Sequence, residues 1–212
     1  MKLIDLTVKD FIEEVSSNSP APGGGSVAAL ASSLGIALSN MVGKLSITKK
    51  KFKALDIEVQ NQFISTINEL ELSRKELTNF IDKDTEAFNL IMDAFKYPKE
   101  TIEEKEFRSM KIQEATLIAT LVPLEVTEFC LESLKKIETI LPYANRNTTS
   151  DLGVSILMIH AGFEGAIMNV LINIGGLKDE IKRNEINEKC KQSLTECRIL
   201  KDNLLEKIYI KL

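Results

Sequence analysis

The sequence predicts an all-α protein, a single-domain antiparallel helical bundle with long helices over residues 1–212. Three observations predict it. Glycine and proline are both missing from residues 44–97 and again from residues 177–212, and these stretches are rich in Leu, Glu and Lys, which favour helix. No segment sustains the alternation of polar and apolar residues that a half-buried strand requires. With 44% hydrophobic and 27% charged residues, the 212-residue chain is long and apolar enough for one core.

The elements follow from local signals. Thr7, with Asp10 three residues on, caps a first helix that Leu6 and Phe11 can staple, and the helix stops near Ser16. A loop runs from Ser17 through Pro20-Ala21-Pro22 to Gly23-Gly24-Gly25, and Ser26 is the expected cap of a second helix. One stripe of that helix, Ala28, Ser32, Gly35, Ser39 and Gly43, is small enough for another helix to approach closely. A long helix is expected over residues 54–97, closed by Pro98. Thr101 with Glu104 forms a capping box that opens the next, which Pro123 should kink or split. Pro142 ends it. After a loop over residues 142–149, a helix over 150–174 runs to Gly175-Gly176, and a last one starts near Lys178.

Composition excludes several classes of function. A net charge of -4 gives no reason to expect nucleic acid as a partner. Cys190 and Cys197 lie seven residues apart on a helix, roughly 10 Å along its axis, beyond disulfide reach. With Cys130 they suit a reduced, cytoplasmic protein. One histidine, His160, and scattered cysteines leave no metal cluster, and His160 reads as a partly buried packing residue. The first residues lack a signal-length apolar run. The run over 27–45 is interrupted by Ser32, Ser33, Ser39 and Asn40, so it reads as a core helix and not as a membrane span.

Three places can carry chemistry. The core-facing stripe of the long helix reads Leu77, Ile81, Asp84, Phe88, Ile91, Phe95, five apolar residues and one carboxylate. Burial should raise the pKa of Asp84 unless donors or cations offset it, and such a group can move protons near neutral pH. A buried aspartate that caps a helix or pairs with a lysine has the same spacing. Asp82 projects from another side as a solvated charge. The Gly23-Gly24-Gly25-Ser26 run lets backbone amides meet a bound molecule at a helix N-terminus, or is a flexible turn. Asn169 and Asn173 sit one turn apart in an apolar run, where an unsatisfied amide is costly, so they need a heterocycle or another helix's backbone as partner. Ser155, Gly162 and Gly165 form a second small stripe. Lys49-Lys50-Lys51 is a solvated run, or one that attracts an anionic ligand tail.

Taken in order, three segments resemble one family. They are Pro20 to Val42 followed by Lys49-Lys50-Lys51-Phe52; Asp82-Lys83-Asp84-Thr85-Glu86-Ala87-Phe88 with Tyr97-Pro98-Lys99 and Val122-Pro123-Leu124; and Asn145, Ser150-Asp151 and Asn169 to Asn173. The set covers nearly the whole chain and is similar to the formiminotetrahydrofolate cyclodeaminase and methenyltetrahydrofolate cyclohydrolase family. Thr48 and Ala144 stand where that family has glycine. The resemblance implies an all-helical homodimer that takes a tetrahydrofolate derivative as its substrate and uses no metal. It implies a domain that stands alone, without the formiminotransferase of bifunctional relatives. It places the catalytic acid on Asp84. It makes Gly23, Gly24, Gly25 and Ser26 pocket-lining, Asn145, Ser150, Asp151, Asn169 and Asn173 candidates for holding the pteridine, and Lys50 a candidate for the glutamate tail. The expected reaction is cyclodeamination of formiminotetrahydrofolate, with methenyltetrahydrofolate hydrolysis, or folate binding without turnover, as the alternatives.

Overall fold

The structure, a computed structural model, describes residues 2–212 and among them holds seven α-helices and no strand. These are α1 (Val8–Ser16), α2 (Gly24–Ile47), α3 (Lys50–Lys53), α4 (Ile57–Phe95), α5 (Ile102–Ile140), α6 (Thr149–Ile174) and α7 (Glu180–Lys211), with short 3-10 turns at Leu3–Asp5 and Arg146–Thr148. The caps have identifiable causes. Thr7 accepts from the Asp10 amide, and Thr101 and Glu104 close a complete capping box. Asp179 accepts from the Lys182 amide, which starts the last helix at Glu180 and not at Lys178.

Three boundaries differ from expectation. α2 begins at Gly24 with Gly23 as its cap, so Ser26 lies inside the first turn and caps nothing. The long helix opens at Ile57 because Asp56 is extended, and Lys50–Lys53 forms a separate single turn. α5 runs unbroken through Pro123, which removes one backbone donor without splitting the helix.

α2 is the centre of the bundle, packed chiefly against α6 and α4, with α5 bridging α4 and α6 and α7 lying on α6. The small stripes do meet. A Cβ on Gly162 would fall 1.9 Å from Ser32 Oγ, and one on Gly35 would fall 2.7 Å from Ile159. Ser155 Oγ donates to the Gly35 carbonyl at 2.7 Å and lies 2.5 Å from Ser39 Oγ. Gly24 lies beside Asn169, and Ser46 accepts from the Asn145 amide, so numbers fall along α6 as they rise along α2. On the other flank a Cβ at Gly43 would strike Ile67 of α4 at 2.1 Å. The core between the helices holds Phe63, Leu70, Leu77, Phe80, Leu134, Ile137, Ile156, Phe163 and Leu204.

α2 and the stretch Arg146–Ile174 are long and apolar enough by composition to cross a membrane, with 61% and 44% of their apolar windows buried in the bundle. The remainder matters. Val27, Leu34, Met41 and Leu45 of α2 and Val154, Leu157, Met168 and Ile172 of α6 are exposed. On each helix they lie opposite the core residues, so two adjoining helices present one broad apolar face. Monomeric proteins rarely leave such a face uncovered. The three cysteines are free and buried, and burial pushes the Cys130 and Cys197 thiols up to about 12. They are packing residues. His160 sits 3.3 Å from Glu164 Oε1 without hydrogen-bond geometry, and burial lowers its pKa. Glu164 is held by Arg198 at 2.7 Å.

Candidate functional site

Asp84 reaches from α4 across the N-terminus of α2. Its Oδ2 accepts from the Ser26 amide at 2.8 Å and lies 3.2 Å from the Ser26 hydroxyl. That hydroxyl is shared, because it also sits 2.8 Å from the Ile81 carbonyl and 3.2 Å from Thr85 Oγ1. Oδ1 presses against Gly25 so closely that a Cβ there would be 2.0 Å away. Gly25, in the first turn of α2, is therefore the position that needs glycine: any side chain would displace the carboxylate. The expectation that the glycine run offers its amides to a ligand is corrected in part. One of those amides is already taken by the chain's own carboxylate, so Asp84 caps α2 from a neighbouring helix while Oδ1 remains for other work.

Burial pushes the Asp84 carboxyl above the usual carboxylate range, and the Ser26 hydroxyl and amide pull it part of the way back. In its neutral form the group can donate to Ser26 Oγ; in its charged form it accepts from the amide. Either protonation state therefore has a partner, as a proton-transferring group needs. The stripe that picked out Asp84 is buried only in part. Leu77 and Ile81 are buried, Phe88 and Ile91 are half-buried, and Phe95 is exposed under the Arg108 guanidinium. Beyond Asp84 the ridge leaves the core and becomes the wall of a cavity.

That cavity, of about 290 Å3, is lined by Pro20, Ala21, Gly23, Gly24, Asp84, Phe88, Ile91, Ala119, Asn169, Ile172 and Asn173. No lysine or arginine is among them. Asn169 donates to the Gly165 carbonyl at 2.8 Å and Asn173 to the Ala119 carbonyl at 2.7 Å. Each NH2 group spends one N–H on a carbonyl, and both amide oxygens remain open to a ligand. The cavity is thus an acceptor site with a carboxylate at its base and apolar walls, suited to a flat, N–H-bearing or cationic ring. A larger groove of about 770 Å3 lies between α5 and α7, but its Lys135 and Lys191 are already paired with Glu132, Glu196 and Glu188. Its two amides, Gln192 and Asn203, are exposed surface side chains.

The sequence-predicted residues therefore fall into two sets. Gly23, Gly24, Gly25, Ser26, Asp84, Asn169 and Asn173 meet at one end of α2. Lys50, Asn145, Ser150 and Asp151 lie at its other end, roughly 30 Å away by the rise of the helix. There Asn145 Oδ1 accepts from the Asn147 amide and caps the turn before α6, and a cleft of about 280 Å3 is lined by Ser46, Lys49, Lys51, Tyr143 and Arg146 among others. Sequence reasoning missed Thr85, Ala119 and Phe88 as site residues; a proline one turn beyond Ala119 was the available signal for the second. Asp82 is not the solvated charge expected. It accepts from the Leu3 amide at 2.6 Å and pins the N-terminal turn to α4, with its Oδ2 buried. Among the described residues no group of acids, histidines and cysteines is placed to hold a metal.

The sequence model of the family described as Formiminotransferase-cyclodeaminase matches residues 7–192. The chain is 37% identical to a methenyltetrahydrofolate cyclohydrolase of Methylorubrum extorquens, over 95% of each. It is 32% identical to the formimidoyltransferase-cyclodeaminase of Mus musculus, covering 92% of this chain and 36% of that one, so it spans about a third of that relative. A crystal structure titled formiminotetrahydrofolate cyclodeaminase, from Thermotoga maritima, superposes with a TM-score of 0.78 at 25% identity, covering 98% of this chain and 96% of the other.

Proposed function

The chain belongs to the formiminotransferase-cyclodeaminase family, a family of folate one-carbon enzymes, and from that membership we propose that it closes formiminotetrahydrofolate to methenyltetrahydrofolate with release of ammonia, using Asp84 as acid and base. The observation that carries this reading is the half-buried carboxyl at the base of an acceptor-lined cavity that contains no side-chain cation. Methenyltetrahydrofolate is an amidinium-like cation, and a carboxylate in a partly dry cavity is complementary to it.

The proton account balances. A folate nitrogen attacks the carbon of the protonated formimino group, CH=NH2+, as Asp84 takes that nitrogen's proton. The tetrahedral carbon then expels its amino group, which Asp84 protonates so that it leaves as ammonia. One group serves twice. Asn169 and Asn173 accept from N–H groups of the pteridine, while Gly23, Gly24 and Gly25 let its plane approach the backbone.

A second reaction has a specific observation in its favour. The full-length relative at 37% identity carries the name of a cyclohydrolase. There water adds to the methenyl carbon, Asp84 takes one of its protons and passes it to the ring nitrogen as the carbon–nitrogen bond opens, and the remaining hydroxyl proton is released to solvent as the formyl C=O forms. Both reactions meet at methenyltetrahydrofolate, whose near-ultraviolet band is the test. Growth of that band from formiminotetrahydrofolate, with ammonia, supports the first; accelerated decay of added methenyltetrahydrofolate supports the second. If neither occurs and reduced folate still binds, the reading as an enzyme is wrong.

We also propose a homodimer built on the exposed α2/α6 face. A two-fold axis through the middle of that face reverses α2 in the partner. The partner's Lys50, Asn145, Ser150 and Asp151 then lie over this chain's Asp84 cavity, and the two separated residue sets become one site. The size of the cavity favours this, because about 290 Å3 accepts a pteridine but not the whole of a folate.

A further inference from the structure

Pro123 stands in the interior of α5, one turn after Ala119. In an uninterrupted helix the amide of residue 123 would bond the carbonyl of Ala119, and proline has no such amide. Ala119 is only 6% exposed, so a carbonyl left without its helical partner there calls for a donor from elsewhere. Asn173 of α6 supplies it, with Nδ2 at 2.7 Å across 54 residues of sequence. A carbonyl accepts and cannot donate, so this contact also fixes which way the amide of Asn173 faces. One N–H of Nδ2 is committed to α5, and Oδ1 is left without a protein donor, in a residue that lines the cavity with Ala119 and Asp84.

From these facts we infer that Pro123 is a positioning residue: by withholding one helical hydrogen bond it holds Asn173 with its amide oxygen presented to the ligand, and so selects a ring edge that carries N–H donors. The inference deepens the folate reading and rests on it for the identity of that ring, since the amide and amino N–H groups of a pterin are such donors. The anchoring of Asn173 does not depend on it. Asn169 is held in the same sense by a carbonyl of its own helix. Two acceptors thus stand one turn apart on α6, and only the Asn173 oxygen depends on a defect in a different helix.

The variant that tests this is Pro123→Ala, which restores a helix-forming residue and should fold. Its new N–H would take the Ala119 carbonyl and release Asn173. The first measurement needs no ligand. In nitrogen-15 NMR, the Asn173 side-chain amide, assigned by its loss in Asn173→Leu, should exchange about tenfold faster in Pro123→Ala, as loss of one ordinary hydrogen bond implies. The second is kinetic, with methenyltetrahydrofolate or formiminotetrahydrofolate. KM should rise about tenfold while kcat stays within about twofold, and Pro123→Ala should add nothing to KM in an Asn173→Leu background. Unchanged amide exchange overturns the inference, and so does an equal rise in KM in both backgrounds, which would mean that Pro123 acts through the general shape of α5. If the wild-type chain neither binds nor turns over a reduced folate, the proposed function fails, and the exchange measurement still decides whether Pro123 positions Asn173.

Discussion

The two ends of α2 are chemical opposites built on one helix. At the Gly24 end an acid is drawn in, its charge disfavoured by burial, with amide oxygens around it and no cation lining the cavity. At the Ile47 end Lys49, Lys51 and Arg146 line a cleft, and burial together with Lys51 pulls the Lys211 ammonium below its ordinary pKa. On the proposed function, the first end handles a proton on a cationic ring and the second holds a carboxylate. A folate has both groups, and one subunit keeps the two ends about as far apart as α2 is long. The difference teaches that burial and charge, and not the presence of polar residues as such, divide the chemistry from the binding.

The sharpest way to break that division is Asp84→Asn. Loss of the proton-transferring group should lower kcat by roughly 10²–10⁴-fold with folate affinity largely kept, measured by the methenyl absorbance band and by equilibrium binding. The same variant has a stability signature of known sign. The folded chain holds the Asp84 proton more tightly than the unfolded chain, whose carboxyl titrates near 3.8. Stability from this group therefore falls as pH rises from about that value through the raised one. Asparagine carries no such penalty. Thermal melts should show the variant more stable than wild type at pH 7, with the advantage fading as pH drops toward the ordinary carboxylate value. A wild-type rate in the variant would move the chemistry away from this end of α2 altogether.

Next in size is a mixing experiment that joins the two ends. Asp84→Asn copies and copies carrying Glu in place of Lys49, Lys50 and Lys51 should each be impaired alone. Co-refolded together, random pairing makes about half of the dimers hybrid, and each hybrid has one intact shared site. Activity should return to about a quarter of wild type. No recovery would mean that the two ends never meet across an interface. Leu34→Asp, in the middle of the exposed face, should halve the mass seen by light scattering and abolish the recovery.

Much of this was legible before any coordinates. The small stripes on α2 and α6 demanded close contact, and Gly162 against Ser32 is that contact. Asp84 stood out because five neighbours on its stripe were apolar. Three things were hidden, each for a physical reason. Ser26 looked like a cap because serine before an apolar run usually is one, but Gly23 and Gly24 had already turned the chain and Asp84, 58 residues away, satisfied the amide. Asp82 looked solvated because helical periodicity records which face a residue is on and not what the N-terminal segment does when it folds back onto that face. The separation of Asn145 and Ser150 from Asp84 was also invisible, since a motif read along the chain carries no distance.

Smaller effects are expected at the basic end. Lys49→Gln and Lys51→Gln should each raise KM a few-fold with kcat unchanged, because exposed charge pairs contribute about 0.2–1 kcal/mol. Added salt should shrink the difference, since the charges are open to screening. The rise in KM should be larger for a substrate with a polyglutamate tail than for the monoglutamate. An equal rise for both would place these lysines on general attraction of anions and not on the tail.

The smallest effect is the one that keeps the others interpretable. Thr101→Ala breaks the capping box at the start of α5, where Thr101 accepts from the Glu104 amide at 3.2 Å and Glu104 returns the bond to the Thr101 amide at 3.1 Å. Losing such a cap costs about 1 kcal/mol, which for a chain of this size lowers Tm by roughly 2–4 °C. The box is on the α5 terminus and touches neither residue set, so kcat and KM should stay at wild-type values at 25 °C. That pairing of a measurable loss of stability with unchanged kinetics is what a purely structural fault looks like in this bundle. If instead Thr101→Ala lowers activity as far as changes at the lysine end do, the bundle transmits damage along α5 to Ala119 and the cavity, and the kinetic effects assigned to either end of α2 would have to be corrected for stability.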